Sequence, residues 1–310
     1  MRVLVTGGTG YLGRAIVGAL VDRGHEPVVV ARRASAAGLP GRAIDADIRN
    51  KAAITAAARG CDAMCHTAAL VSVWRPNARE FDEVNVGGLE HALAAARAAG
   101  LRRVVYTSSF LARPPAGRTT PLAANDYQRT KAVARVVAER AQAEGAPLVI
   151  VYPGVIYGPG VRTEGNLLGT LLADYVAGRL PGLIGPDRIW SYAWVEDVAA
   201  AHVAAIEHAA PAAAYELGGE NVAQLEPFAI AARARGLALP RRIPYWLAAI
   251  GGHAETGLAR LTGRMPRLTP GTVEIFRHDW PVGSADAVRD LGFRVRPLAE
   301  GVTRTLAALD

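Results

Sequence analysis

Tyr127 and Lys131, in the run Tyr127-Gln128-Arg129-Thr130-Lys131, have types and spacing that suit proton transfer. On a helix four residues make about one turn, so the phenol and the amine share a face. A free phenol ionises near pH 10 and is a poor acid–base group at neutral pH without a positive neighbour. Upstream, Thr107-Ser108-Ser109 closes an apolar run, where a hydroxyl can hold a substrate carbonyl oxygen. Near the start, Thr6-Gly7-Gly8-Thr9-Gly10-Tyr11-Leu12-Gly13 follows an apolar strand and opens an amphipathic helix. Glycines there permit a tight turn, close approach of backbone to phosphate, and close packing of helix on strand. The helix start adds unpaired N–H groups and a positive dipole end, so a dinucleotide pyrophosphate is expected on this turn. The positive ring of an oxidised nicotinamide would then join Lys131 in stabilising a Tyr127 phenolate.

The end of the second strand selects the cofactor. An NAD site places a carboxylate there for the ribose 2′-hydroxyl, but this chain has Ala31-Arg32-Arg33. A guanidinium pairs with a 2′-phosphate, which an acid would repel. NADP(H) is therefore expected, with Arg32 as the main contact and Arg33 beside it; NAD is the alternative. Asp47-Ile48, after the next strand, would flank the adenine.

These residues need a scaffold that brings them to one edge. Short apolar runs at Arg2–Thr6, Pro27–Ala31, Ala43–Asp45, Ala63–Thr67, Arg103–Thr107 and Leu148–Tyr152 read as strands. Helical stretches near Tyr11–Asp22, Lys51–Ala58, Asn77–Ala99 and Asp126–Glu144 alternate with them. That rhythm predicts right-handed βαβ units in an α/β fold, a Rossmann-type doubly wound parallel sheet. Continuous apolar strands such as Val3-Leu4-Val5 and Val28-Val29-Val30 suit burial on both faces. Beyond about residue 154, Pro and Gly recur and the rhythm loosens. The expected division is a dinucleotide-binding domain over 1–155, with a returning segment at about 186–217 that includes Val195–His208. Residues 156–185 and 218–310 would form a smaller, mainly helical C-terminal substrate part.

The ordered set of motifs resembles the extended short-chain dehydrogenase/reductase family, also called the NAD-dependent epimerase/dehydratase family, over nearly the whole chain. The resemblance rests on the glycine turn, Asp47-Ile48-Arg49, His66-Thr67-Ala68-Ala69, Asn85-Val86-Gly87-Gly88, Thr107-Ser108-Ser109 and Tyr127-x-x-x-Lys131. It continues through Pro153-Gly154-Val155-Ile156-Tyr157-Gly158-Pro159, Trp194-Val195-Glu196-Asp197-Val198-Ala199 and Leu291-Gly292-Phe293. It implies Tyr127 as general acid–base, Lys131 lowering its pKa while binding the nicotinamide ribose, and Ser109 orienting the substrate oxygen with Ser108 beside it. It further implies Ala68 and Ala69 along the cofactor channel, and Pro153, Val155 and Ile156 along the nicotinamide. A homodimer through the helices at 77–99 and 126–144 is a family expectation. Sugar-nucleotide epimerases carry an Arg-Asp pair where this chain has Trp190-Ser191. The Arg32 strand end and Trp194-Val195-Glu196-Asp197-Val198 look instead like the dihydroflavonol-reductase and 3β-hydroxysteroid-dehydrogenase-like branches. Tyr152 stands where the family commonly has arginine.

The expected reaction is hydride exchange between NADP(H) and a medium-sized apolar ketone, aldehyde or secondary alcohol. The alternatives are a nucleotide-sugar epimerase or dehydratase with tightly bound NAD(P), and a non-catalytic NADP(H)-sensing regulator. Trp74, Tyr157 and Tyr192, with Ser109, are the expected substrate-side residues, and Phe110, Leu111 and Trp194 come from neighbouring segments. His66 reads as structural, and the remaining histidines lack the spacing of a metal site, so no metal is expected.

Composition sets outer bounds. With 51% hydrophobic and 20% charged residues among 310, the chain can build a sizeable core. The formal charge of +7 favours anionic partners, but no basic run exceeds a pair, which speaks against nucleic acid. Cys61 and Cys65 have no second pair, which fits a reducing, cytoplasmic setting. Met1–Val5 runs straight into the glycine turn, so no leader peptide is expected. No apolar stretch approaches the roughly 20 residues of a membrane span, and no membrane partner is expected. The longest apolar run, around Ile243–Gly252, is broken by Gly251 and Gly252.

Overall fold

Twelve strands and twelve helices make up the computed structural model, which describes residues 1–210 and 212–310. The strands are β1 (Arg2–Thr6), β2 (Glu26–Ala31), β3 (Arg42–Asp45), β4 (Ala63–His66), β5 (Arg103–Thr107) and β6 (Leu148–Pro153). They continue as β7 (Val155–Tyr157), β8 (Leu183–Ile184), β9 (Ile189–Trp194), β10 (Ala214–Leu217), β11 (Glu220–Ala223) and β12 (Arg242–Ile243). The helices are α1 (Tyr11–Asp22), α2 (Lys51–Ala58), α3 (Arg79–Asp82), α4 (Gly88–Ala99), α5 (Asp126–Ala143) and α6 (Leu167–Val176). Then come α7 (Val195–His208), α8 (Glu226–Arg235), α9 (Tyr245–Thr262), α10 (Pro270–Ile275), α11 (Ala285–Leu291) and α12 (Leu298–Ala307).

Seven strands form one parallel sheet in the order β10-β6-β5-β4-β1-β2-β3. The chain runs outward from β1 through β2 and β3, then returns to β4 on the other side of β1. Strand order therefore reverses between β1 and β4, and ligands of such sheets bind in the crevice at the strands' C-terminal ends there. The expected α/β doubly wound sheet is what forms. Alternate residues of each strand feed two cores. Val3, Val5, Val29, Cys65, Val105 and Val149 pack under α1, α7 and α11. Leu4, Val28, Val30, Met64, Val104 and Ile150 pack under α2, α4 and α5.

Two expectations change. The helix expected over Asn77–Ala99 is interrupted by a π-helical turn at Glu83–Gly87 between α3 and α4. Gly88 sits so close to Ile48 that an added Cβ would lie 2.9 Å from Cγ1, which pulls the helix toward the end of β3. The chain after residue 154 also holds strands that its loose rhythm hides: β7, β9 and β11 form a small mixed sheet, and β8 pairs with β12. These strands are short and wedged by aromatic rings, so neither period dominates the sequence. Tyr157, Trp190, Tyr192, Trp194, Phe228 and Trp280 form this third core.

Helix α7 crosses the N-terminal sheet beside α1, and it is tied to the C-terminal segment by Arg296. That guanidinium donates to both Asp197 oxygens at 3.1 Å, a bidentate pair buried under α12.

Candidate active site

The glycine turn leaves β1 at the switch point. Gly7 has φ +72°, a left-handed conformation that favours glycine, and a Cβ there would fall 2.7 Å from Ala68 Cα. A Cβ on Gly13 would collide with Gly7 O and sit 2.7 Å from Gly8 Cα. Gly10 differs: a Cβ there would meet only Gly7 O, at 3.2 Å, with open space beyond. Gly10 caps α1 without a side chain, and the first turn carries no acidic residue. The first N–H groups of α1 therefore face an open, bare cradle, which is what a pyrophosphate needs. Thr9 accepts at its carbonyl from Arg14 Nε at 3.1 Å. Leu12 is half-buried against the sheet core. The Tyr11 side chain turns away from the cradle and is buried against Gly158 and Gly160.

Arg32 and Arg33 lie in the exposed turn after β2, and neither forms an ion pair among the described residues. The nearest carboxylates are already engaged. Asp45 accepts from Ser35 N and Oγ, and Asp47 accepts from Arg49 Nε and Nη2 at 3.0 and 2.7 Å. The Arg49 contact holds the Asp47 carboxyl below its usual range, with Arg32 adding a smaller pull. Ile48 is buried against Gly88.

Asn125 caps α5 by accepting from Gln128 N at 2.9 Å, which places Tyr127 in the first turn and Lys131 one turn on. The Ser109 hydroxyl, just beyond β5, faces the Tyr127 phenol and works against the burial that pushes that phenol up to about 12. Ser109 Oγ also accepts from Leu111 N at 3.2 Å. Lys131 is buried; its Nζ donates to Thr107 O at 3.0 Å and lies 5.3 Å from the centre of the Tyr106 ring. Burial pushes the amine down to about 8. The contact that Lys131 makes here is with a backbone carbonyl, and burial is the first cause of the shift in both groups.

Three residues outside the expected catalytic set support it: His66, which the sequence reads as structural, His202 and Asn85. His66 Nδ1 is 2.8 Å from Thr6 Oγ1, its partner across the β1–β4 ladder, and the imidazole stacks on Tyr106 at 5.7 Å. His202 bridges Val198 O and Thr107 Oγ1, at 2.8 and 2.9 Å. Burial pushes these imidazoles down to about 3 and about 4, so both are neutral. Asn85, in the π turn, accepts from Leu70 N at 2.7 Å and donates to Thr130 Oγ1 at 2.9 Å, joining the loop after β4 to the helix of Tyr127. Apart from His202 with Val198, one helical turn away, these contacts join residues 15 or more positions apart, which no local spacing signals.

Two expected substrate-side residues are placed elsewhere. Tyr157 is fully buried, edge-on to Tyr192 and Trp194 and covered by Gly301 of α12. Tyr192 is buried in the same cluster, so both rings are core rather than pocket wall. Trp74 is half-buried in the loop after β4 and stays near the mouth. Ala68 and Ala69 are half-buried beyond β4, and Pro153, Val155 and Ile156 run from β6 into β7, with Ile156 the most open of the three. A cavity of about 340 Å³ lies at the β6–β10 edge, lined by Phe110, Arg113, Tyr152, Glu216 and Trp280 but not by Tyr127, Ser109 or Lys131. Tyr152, the departure from the family pattern, lies 5.5 Å under the Arg113 guanidinium, which pairs with Glu216.

The switch-point crevice with its bare glycine cradle defines a dinucleotide-binding α/β protein. The chain belongs to the NAD dependent epimerase/dehydratase family, whose description matches residues 3–218. It is thus an extended short-chain dehydrogenase/reductase, a member of an oxidoreductase family that uses a nicotinamide dinucleotide. It is 33% identical to sterol demethylase protein B of Methylococcus capsulatus, over 71% of this chain and 70% of that protein. It is 27% identical to a putative dihydroflavonol 4-reductase of Synechocystis, over 93% of this chain and 88% of that protein. The fold matches Thermus thermophilus UDP-glucose 4-epimerase, solved with NAD, at a TM-score of 0.73 and 24% identity, covering 100% of this chain and 99% of that one.

Proposed function

We propose that this protein is an NADP(H)-dependent carbonyl reductase, or the reverse alcohol dehydrogenase, acting on a medium-sized apolar ketone, aldehyde or secondary alcohol. The observation that carries this reading is the Tyr127 phenol facing the Ser109 hydroxyl, with the buried Lys131 one helical turn away. The residues fit a dinucleotide: the 7–13 turn and the start of α1 for pyrophosphate, Arg32 and Arg33 for a 2′-phosphate, and Ala68, Ala69, Pro153, Val155 and Ile156 along the channel. The cofactor, when bound, supplies or accepts the hydride at its nicotinamide ring.

The remaining chemistry belongs to side chains. Ser109 holds the substrate oxygen, and Tyr127 gives that oxygen a proton as negative charge develops on it. A phenol held near 12 by burial is protonated at neutral pH, the state reduction requires. In the oxidative direction Tyr127 would accept the proton as a phenolate, a form that a positively charged nicotinamide ring beside it would favour. Lys131, fixed by the Thr107 carbonyl, has two further donors for a ribose hydroxyl. Relatives named for reductase activities, including a 2-alkyl-3-oxoalkanoate reductase of Stenotrophomonas maltophilia, support this reading.

Tyr127→Phe is expected to lower the turnover number by about 10²–10⁴-fold while leaving cofactor affinity nearly unchanged. Turnover equal to that of the native protein would remove the assignment. The likeness to the NAD-containing epimerase favours a second reading, a nucleotide-sugar epimerase or dehydratase that recycles bound NAD(P). Substrate conversion without net cofactor consumption would select it.

A further inference from the structure

Helix α9 turns its apolar side outward. Trp246, Leu247, Ile250, Leu258 and Leu261 are 65%, 48%, 60%, 57% and 86% exposed. At 100° per residue they share an arc of about 120° with Ala254 and Gly257, uninterrupted by any polar residue. The face that packs on the protein is made of small residues instead, Ala248, Gly252 and Ala259. This is the reverse of an ordinary surface helix, and a contiguous exposed patch of that kind marks an interaction surface. α9 is too short and insufficiently apolar to span a bilayer, as is every other described helix.

Charge identifies what covers it. Arg241 precedes the helix, and Arg260, Arg264 and Arg267 gather at its other end; all four are exposed, and none forms an ion pair among the described residues. The one acid of the segment, Glu255, accepts from the N–H groups of Arg267 and Leu268, so it is turned into the fold. Both ends of the apolar stripe are thus cationic. Packing two copies through it would set arginine against arginine in either direction, whereas anionic headgroups match both ends at once. Just beyond the stripe, Arg75 of the Trp74 loop meets Met265 Sδ at 3.1 Å.

We infer that α9 seats the protein on an anionic phospholipid surface, lying in the interface with Trp246, Ile250, Leu258 and Leu261 among the lipid chains and the arginines at the headgroups. This revises the expectation of no membrane partner. The inference does not rest on the proposed reaction.

The test is co-sedimentation of the full chain with vesicles of phosphatidylcholine mixed with phosphatidylglycerol, against phosphatidylcholine alone. Binding is expected only to the anionic vesicles, weakening as salt rises, with a blue shift in emission that Trp246→Ser removes. Ile250→Asp with Leu258→Asp is expected to cut binding by about tenfold or more. Arg260→Gln and Arg264→Gln should each cost about fivefold. Both sets lie on the surface and should leave nicotinamide cofactor affinity intact, which certifies folding. Absence of binding to anionic vesicles, or equal binding to neutral ones, overturns the inference. So does a dimer in light scattering that Ile250→Asp with Leu258→Asp dissolves without any vesicle binding, since that assigns the face to a second copy. Neither outcome depends on turnover, so a failed reductase assay and a failed membrane assay remain distinguishable.

Discussion

The chain before Gly154 and the chain after it reach burial by opposite means. The first part supplies aliphatic strands that are stacked between two helical layers, and Gly7 and Gly13 of its opening turn lie where another backbone passes within van der Waals contact. The second wedges aromatic rings edge to face and locks them with a buried ion pair between Asp197 and Arg296. Its longest helix contains Gly251 and Gly257, where an added Cβ would meet nothing within 4 Å. A turn of bare backbone in close contact with its neighbours has little freedom to change. The outer side of the second part's longest helix has more.

Glycine substitutions should break this contrast most sharply. Gly13→Ala drives a methyl into Gly7 O and Gly8, and is expected to destabilise the protein by about 3 kcal/mol or more or to abolish cofactor binding. Chemical denaturation with and without cofactor will show which. Next in size is the cofactor choice. On the proposed reading, Arg32→Ala removes a charge-assisted contact and should reduce preference for NADP(H) over NAD(H) by about 10- to 100-fold. Affinities measured in parallel would refute the role of Arg32 if the ratio stayed constant.

A smaller effect reads the buried titratable groups around the central sheet by pH. Unfolded Lys131 holds its proton up to about its ordinary 10.5, but the buried amine gives it up near 8. Between about pH 8 and about pH 10 the unfolded state binds more protons, so cofactor-free stability rises with pH. Lys131→Met should flatten that rise in urea midpoints. On the acid side, His66 and His202 stay neutral to about 3 and about 4 when folded. Their unfolded counterparts charge below about 6.5, so stability should fall from there downward. The smallest effect is expected in the second part: Gly257→Ala on exposed α9 should stabilise by about 0.5–1 kcal/mol in thermal unfolding. A loss there would mean that Gly257 is covered.

Much of the first part is legible without coordinates. Strands β1 and β5 and helices α1 and α2 run between the residues their patterns predict, because each has a strong local period and a clear stop. Tyr127 and Lys131 share a helix face because four residues make about one turn. The π turn at Glu83–Gly87 was hidden because the apolar period runs through it without a break signal. Tyr157 and Tyr192 looked like pocket walls because aromatic residues after a nicotinamide-side strand suit that role equally well. Packing under α12 decided otherwise.

By itself the sequence determined a doubly wound sheet, a phosphate-ready glycine turn and a phenol one helical turn from an amine. These follow from periodicity and from the conformational freedom of single residues, which act over a few positions of chain. Only the tertiary structure decided that Lys131 spends its contact on the Thr107 carbonyl, that His66 and His202 are held neutral against Thr6 and Thr107, and that α9 shows its apolar side to the outside. Each of those outcomes depends on which distant surface fills the space beside a side chain, and no local pattern encodes that.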